Sequence, residues 1–238
     1  PDTVESIGYG ILKDCNGLES LTIPFVGSEI SPEVYKPFHY IFNEQTSYAN
    51  AQNVPESLKA LIITGGTRIA SNAFRNCKYI ESIKFPDKLT YIDYSAFEGC
   101  TALSEVVFPE RLTLIGKWAF VGCVALTDLR FPDSLLTIDE GAFSDCTGLV
   151  TLELPQALQV LGSDSFMRCT SLERVMLPKS VRNMGWSIFG SCRNLQTIRY
   201  AGTVSEWRSI FKCGKWHEGA GRVEIACSDG TIYDEYHP

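Results

Sequence analysis

Cysteine recurs at a fixed interval of 23 residues, and this period constrains the fold more than any other feature of the chain. The six cysteines on the interval are Cys77, Cys100, Cys123, Cys146, Cys169 and Cys192, and each has a phenylalanine three residues before it. A strict period of this length is typical of repeat architectures, in which each repeat forms one coil and the coils stack. The sequence therefore predicts a solenoid.

The aligned repeats share the frame LxxLxLPxxLxxIxxxAFxxC, which divides each coil into three parts. In one copy, Leu129 and Phe131 alternate with Arg130, as in a short strand with one buried face, and Pro132 ends that strand. A shorter extended run follows at 135–138. The AFxxC segment is predicted to form a single helical turn with its Phe and Cys pointing inward. Residue types that start a helical turn or accept a positive φ angle precede it, at Asp93, Gly116, Asp139, Gly162 and Gly185.

A repeat of this length cannot bury its apolar side chains alone, because it offers no second layer. Stacked coils bury them in shared columns of Leu, Phe and Cys. A small apolar thiol suits such a column, so we expect Cys15 and the six periodic cysteines to be free and buried. Cys213 and Cys227 lie outside the column, and whether they pair stays open. No CxxC spacing suggests a zinc site.

These repeats resemble the leucine-rich repeats of the BspA-like class of bacterial surface proteins. The match runs from about Leu58 through Tyr200 and, more loosely, from Val4. The last stretch, AGTVSEWRSIFKCGKWHEGAGRVEIACSDGTIY, is similar to the segment that closes the array in such proteins of gut bacteria. The resemblance implies a curved, right-handed solenoid with a parallel concave sheet, exported to the cell surface, where it binds macromolecular partners without catalysis or cofactor. It transfers no binding residue to this chain.

The first break in the period is an insertion at about 18–57. Leu18 and Leu58 are 40 residues apart, and Ile41 and Phe42 align with the AF pair. The inserted segment is rich in aromatic side chains, among them Tyr35, Phe38, Tyr40 and Tyr48. A long aromatic loop is a candidate ligand-binding element. It is equally a candidate lid over the first coil.

The second break is a C-terminal cap at 203–238, which follows an array at 1–202 within one domain. Thr203 and Glu206 form a T-x-x-E capping box. Val204, Trp207, Ile210 and Phe211 then recur at helical spacing, which predicts a helix with Trp207 across the last coil. A hairpin is predicted after that helix, because the strand-like segments VEIAC and TIYDEY are joined by the turn residues Ser-Asp-Gly. Together they are expected to cover the end of the core.

Strand residues that alternate with the core positions are free to vary, so they are the candidate binding surface on the concave sheet. The candidates are Lys84, Val107, Arg130, Glu153, Arg174, Met176 and Arg199. Among them the three arginines beside Val107 and Met176 are the predicted contact patch, since Arg and Met are common in interfaces. A merely solvated face is the competing interpretation. Trp118 and Trp186, on the outer turns, either form a second surface or pack on neighbouring coils.

Composition excludes several function classes. A net charge of −7 and a pI near 5.1 argue against a nucleic-acid partner, and no apolar run reaches the length of a membrane span. No catalytic motif is present. The sole candidate for a nucleophile with its base is Cys213 with His217, which lie four residues apart. We therefore expect no enzyme activity, no metal and no cofactor.

The resulting prediction is a monomeric, non-catalytic recognition module that is secreted or held at a bacterial cell surface. It binds a protein partner, a host matrix protein or another cell, through the concave face. Two alternatives stay open: a structural spacer that displays another domain, and a glycan-binding module that uses the aromatic insertion. Because Pro1 begins in the middle of a coil, we expect this chain to be a segment of a longer precursor that carries the export signal.

Overall fold

Two β-sheets run along the array of coils, each built from short strands of successive repeats that pair in parallel, except for the final antiparallel hairpin. The computed structural model describes residues 4–26, 37–42 and 51–235. The first sheet consists of a four-stranded part and a five-stranded part: β1 (Ser20–Ile23), β2 (Ala60–Ile63), β4 (Ser82–Lys84) and β6 (Glu105–Val107), then β9 (Thr151–Glu153), β11 (Arg174–Leu177), β13 (Thr197–Tyr200), β15 (Arg222–Cys227) and β16 (Gly230–Glu235). The second sheet has seven strands: β3 (Arg68–Ile69), β5 (Tyr91–Ile92), β7 (Leu114–Ile115), β8 (Thr137–Ile138), β10 (Val160–Leu161), β12 (Asn183–Met184) and β14 (Phe211–Lys212).

Equivalent residues of successive coils lie opposite one another in both sheets. Leu61 pairs with Ile83, and Ile83 pairs with Val106. Ser20 pairs with Ala60 despite the insertion between them, so the longer repeat adds chain without shifting the register. The predicted solenoid and its parallel sheet are confirmed. Each strand of the first sheet that meets a frame proline stops at or before it, as a residue without an N–H requires.

A column of stacked phenylalanine rings forms the centre of the core. Its six members, Phe74, Phe97, Phe120, Phe143, Phe166 and Phe189, are all fully buried. The rings of Phe97 and Phe120 are 4.9 Å apart with planes 12° apart, and those of Phe120 and Phe143 are 5.1 Å apart and nearly parallel. Each ring is therefore covered on both faces by neighbouring coils rather than by its own coil.

The insertion supplies the ring that ends this column at its N-terminal side. A 3₁₀ helix at Phe38–Phe42 places Phe38 5.0 Å from Phe74. The Phe38 N–H donates to the carbonyl of Ala73 at 2.8 Å, which is the bond that Phe74 makes to Ala96 in the next coil. Phe38 therefore holds the Phe position, and the sequence alignment of Phe42 with that position was wrong. Phe38, Ile41 and Phe42 are all buried, so this part of the insertion packs in the core between Phe74 and residues 10–12. Whether the insertion also acts as a lid stays a prediction.

The AFxxC segment forms a turn in every periodic coil, but its hydrogen bonds are not those of a helix. The backbone N–H groups of Ala96 and Cys100 donate to carbonyls of the same turn, those of Asp93 and Phe97. The N–H groups of Phe97 and Gly99 instead donate to carbonyls of the next coil, at 2.7 and 2.8 Å. This alternation follows from two left-handed residues per turn, exemplified by Ser95 (φ 49°) and Gly99 (φ 74°). Neighbouring turns are thus joined by backbone hydrogen bonds, as neighbouring strands are.

The glycines that precede these turns have a different role from the expected one. Gly116, Gly162 and Gly185 are not among the residues with positive φ. A Cβ atom on Gly162 would lie 2.4 Å from the backbone nitrogen of Glu140 in the preceding coil. Glycine at this position is therefore explained by close approach of two backbones.

The periodic cysteines form a buried column beside the phenylalanines. The thiol of Cys123 donates to the carbonyl of Phe97 at 3.3 Å, and that of Cys146 donates to Phe120 at 3.2 Å. The same bond recurs, one coil apart, at Cys100, Cys169 and Cys192. A thiol at this position thus fills the core and binds a carbonyl of the preceding coil. Burial raises the pKa of Cys100 and of Cys192 to about 12.

Cys15 differs from the other members of the predicted column, because its side chain is exposed. Residues 10–12 of its coil bond to the 3₁₀ helix through Gly10 and Leu12. Within the described ranges no coil covers their other side, and Leu12 is only partly buried. The prediction that Cys15 is buried is therefore wrong, since a column member needs a coil on both sides.

The C-terminal cap continues both sheets. Helix α1 (Val204–Ser209) begins with the predicted capping box of Thr203 and Glu206, and Trp207 is buried 5.6 Å from the ring of Tyr200. Strand β14 then extends the second sheet and β15 the first, and β15 pairs with β16 in the predicted hairpin. Trp216 ends the phenylalanine column, 6.3 Å from Phe189.

Phe211 is the one member of the predicted apolar helix face that points to solvent. The helix ends at Ser209, and Phe211 lies in β14 opposite Asn183. The prediction that Phe211 lies on the buried side of the helix is wrong, because strand pairing replaces the helical period at this point.

Removal of one central ring should expose how far the column stabilises the fold. In Phe120→Ala, a cavity opens between Phe97 and Phe143, so we expect the free energy of unfolding to fall by about 3–5 kcal/mol in urea denaturation. Val124→Ala, at an exposed position directly after the same repeat, is the control and should change it by less than about 0.5 kcal/mol. Equal effects of the two substitutions would contradict the central role of the column.

The buried thiols should make the protein sensitive to alkali. In the unfolded chain they ionise near their ordinary pKa of 9.0, whereas in the folded protein those of Cys100 and Cys192 stay protonated until about 12. The folded state binds more protons in this window, so its stability falls as the pH rises above about 9. Urea denaturation with a reductant present, at several pH values from about 8 to about 10, should give a shallower decline for Cys100→Ala/Cys192→Ala. The decline should be unchanged for Cys15→Ala, and a decline of the same slope in all three proteins would refute this assignment.

Candidate binding surface

The outward side of the first sheet, which we call the strand face, presents the residues that alternate with the core positions. Its first column is exposed throughout, as the period-2 pattern predicts: Thr22, Ile62, Lys84, Val107, Arg130, Glu153, Met176 and Arg199. Strand pairing places Met176 beside Arg199 and beside Glu153. The orientation of the seven candidate residues is confirmed, while their role in binding stays a prediction.

A depression of about 690 Å³ lies in the C-terminal half of the strand face. Five of the seven candidates line it: Arg130, Glu153, Arg174, Met176 and Arg199. Lys84 and Val107 lie outside it, on the strands β4 and β6 of the four-stranded part. The structure thus gathers the three predicted arginines into one concave site.

The depression begins where the first sheet is interrupted. The coil between β6 and β9 contributes no strand to the sheet, and its Arg130 makes a single bridge to Glu153. The prediction of a strand at Leu129 to Phe131 is therefore wrong, although the alternation of buried and exposed side chains holds there. The apolar columns nevertheless continue through this coil, because Phe131 stacks 5.6 Å from Phe108. The surface is therefore irregular at this point while the core beneath it keeps its repeat.

Acidic side chains lie mainly towards one end of the depression, where Arg130 is also found, whereas Arg174 and Arg199 lie towards the other. Asp128 and Asp133 lie on the first lining coil, and Arg174 and Arg199 lie on later coils. Arg130 is paired with Asp128 at 3.3 Å, but 91% of its side chain is exposed, so this pair contributes little stability. No ion pair between residues of the described ranges includes Arg174 or Arg199.

The strand face continues onto the cap hairpin, which brings in residues that sequence reasoning missed. Glu224 of β15 lies beside Thr197 and opposite Tyr233 of β16. Tyr233 is 55% exposed, and the guanidinium of Arg222 lies 4.1 Å from the centre of its ring. The alternation in TIYDEY indicates that Tyr233 and Ile232 face opposite ways, but only the pairing of β16 shows that Tyr233 faces the same side as the arginines.

The aromatic insertion is only partly available to a ligand. Phe38 is fully buried, and Tyr40 is half-buried with its ring 5.1 Å from that of Tyr9. In this arrangement Phe38 cannot contact a ligand. Tyr35 and Tyr48 lie outside the described residues, so their part in binding stays a prediction.

The two tryptophans on the outer turns combine exposure with packing. Trp186 is 54% exposed, and Trp118 is less exposed because its ring lies 5.3 Å from that of Tyr94 and covers Gly141. Both interpretations offered by the sequence thus apply to Trp118, whereas Trp186 is mainly a surface side chain.

The candidate nucleophile pair has no exposed imidazole. His217 is buried, with its ring 4.0 Å from that of Trp216, and Cys213 is half-buried. Cys213 and Cys227 are both free, which answers the question of their pairing. Among the described residues no group of three or more His, Cys, Asp or Glu side chains could hold a metal ion. No helix of the described ranges has the length and apolar character needed to cross a membrane.

Comparison with known proteins gives a consistent result. Residues 67–196, more than half of the chain, match six copies of the family model described as BspA type Leucine rich repeat region. The chain is similar to a leucine-rich repeat protein of T. pallidum with a solved structure, at 29% identity and a TM-score of 0.57, over 67% of this chain and 77% of that one. No protein with a curated description matches.

Two further solved structures support the fold. A leucine-rich repeat protein from Eubacterium ventriosum is 24% identical with a TM-score of 0.55, over 78% of this chain and 49% of that one. Another from Bacteroides ovatus is 20% identical with a TM-score of 0.50, over 94% and 71%. This chain therefore spans about half the length of the first and nearly three quarters of the second.

Proposed function

Because the chain belongs to the BspA-type leucine-rich repeat family, we propose that it is a non-catalytic recognition module of a bacterial cell surface. Its partner is a protein, either a host matrix protein or a protein on another cell, and the strand face binds it. Leucine-rich repeat proteins of this type are generally protein-interaction modules. The surface location rests on the family, and the protein partner and the site rest on the features below.

The depression is the observation that carries this proposal. It gathers Arg130, Arg174 and Arg199 around Met176, which is 44% exposed. Arg, Met and Tyr are the side chains enriched where proteins meet, and Tyr233 lies on the same face nearby.

The scaffold supports binding at this face because it is rigid. The lining residues stand on parallel strands whose opposite sides are fixed in the apolar columns, for example Arg174 and Met176 on either side of the buried Val175. Little backbone conformational entropy is then lost on association. The described part of the aromatic insertion gives the glycan alternative less support, since Phe38 and Phe42 cover the core.

Binding to a panel of immobilised extracellular-matrix proteins and to whole bacterial cells tests the proposal. We expect specific binding of the wild-type protein, weakened at least about tenfold in Arg130→Ala/Arg174→Ala/Arg199→Ala, since interface arginines often contribute more than 1 kcal/mol. Biolayer interferometry measures binding to the matrix proteins, and titrations measure binding to the cells.

A variant with the same loss of charge is the control. Arg111→Ala/Arg193→Ala/Arg208→Ala removes three exposed arginines that do not line the depression, and its affinity should stay within about twofold of wild type. Equal weakening in both triple variants would mean that only net charge matters. Absence of specific binding to every protein and cell would favour a structural spacer and reject the proposal.

A further inference from the structure

The arrangement of charge in the depression indicates which kind of protein segment it accepts. Arg174 and Met176 stand on β11 and point from the same side of the strand, and Arg199 lies directly opposite Met176 on β13. Two arginines thus neighbour one exposed thioether side chain, and Glu153 lies on the opposite side of Met176. Neither arginine belongs to an ion pair of the described residues.

We propose that Arg174 and Arg199 form a carboxylate subsite, which binds an Asp or Glu side chain of the partner while a neighbouring apolar side chain of the partner packs on Met176. This inference rests on the proposed function and names the chemistry of its partner. The planar guanidinium group donates paired hydrogen bonds that match a carboxylate, so an arginine pair is well suited to this ligand.

The other side chains of the depression limit the number of acidic residues in the segment that it accepts. Asp128, Asp133 and Glu153 line the same site, and the whole chain carries a net charge of −7. A long polyanion would meet these carboxylates as well as the arginines and would be repelled by them. A protein segment with one acidic residue at the arginine end, and none at the Asp128 end, fits both signs of charge.

Selection from a library of random displayed peptides tests this inference. The folded wild-type protein is the bait, and peptides that bind Arg174→Ala/Arg199→Ala as strongly as they bind the wild type are removed, so that weaker binding to the variant can still be measured. We expect the remaining peptides to be enriched in Asp or Glu next to an apolar residue. Replacing that Glu by Gln in a synthetic peptide should weaken binding about tenfold, because the neutral amide loses the charge-assisted hydrogen bonds to the guanidinium groups.

The paired substitutions separate a direct contact from an indirect one. Glu→Gln in the peptide should have little further effect on binding to Arg174→Ala/Arg199→Ala, because the two changes remove the same interaction. Arg193→Ala, which lies outside the depression, should bind the Glu peptide as the wild-type protein does. Additive losses in the double-mutant cycle would overturn the subsite.

Other outcomes also discriminate. Peptides that bind the strand face but lack an acidic residue would overturn the subsite and leave the proposed function intact. Binding of heparin that is lost in Arg174→Ala/Arg199→Ala, without enrichment of acidic peptides, would overturn it in favour of a polyanion. Failure of every matrix protein and cell to bind, described above, would instead reject the proposed function itself.

Discussion

Contact between like side chains of successive coils is the interaction on which the whole molecule depends. Phe120 is enclosed by Phe97 and Phe143, which belong to the coils before and after its own. The thiol of Cys146 likewise bonds to a carbonyl of the preceding coil. No coil therefore buries its own core, and each is stable only where both neighbours are in register. This explains why the register holds even across the insertion.

Such a column has to be ended at both sides, and the chain does so with residues that do not follow the repeat. The insertion turns back to place Phe38 on Phe74, and the cap places Trp216 on Phe189. Both are aromatic rings, and their planes are tilted by 43° and 84° from those of their neighbours, unlike the near-parallel rings within the column. The C-terminal cap also adds β15 and β16 to the first sheet and so lengthens the strand face.

The two sides of each strand of the first sheet have different roles, since one packs in the core and the other faces outward. Val175 is fixed between neighbouring coils, while Arg174 and Met176 on either side of it carry no packing duty. The core thus holds surface residues in place without restricting their identity. A rigid surface whose residues can vary is the physical basis on which one repeat scaffold serves many recognition tasks.

Much of this structure is determined by the sequence alone. The 23-residue period specifies the coils, the alternation around Arg130 specifies which side chains are exposed, and the T-x-x-E pattern at Thr203 specifies the start of the helix. Each of these rests on local geometry or on identical neighbours, so one repeat predicts the next. The sequence therefore identified the seven candidate residues of the strand face, five of which line the depression.

Tertiary structure alone decided the features at positions without an equivalent neighbour. Cys15 is exposed because no coil of the described part covers it, Phe38 rather than Phe42 completes the ring column, and Phe211 leaves the helix to pair as a strand. The depression itself arises where one coil leaves the first sheet, and Tyr233 reaches the strand face only through hairpin pairing. The period determines what happens between equal coils, whereas breaks and ends are settled by packing between segments that are distant in sequence and unlike one another.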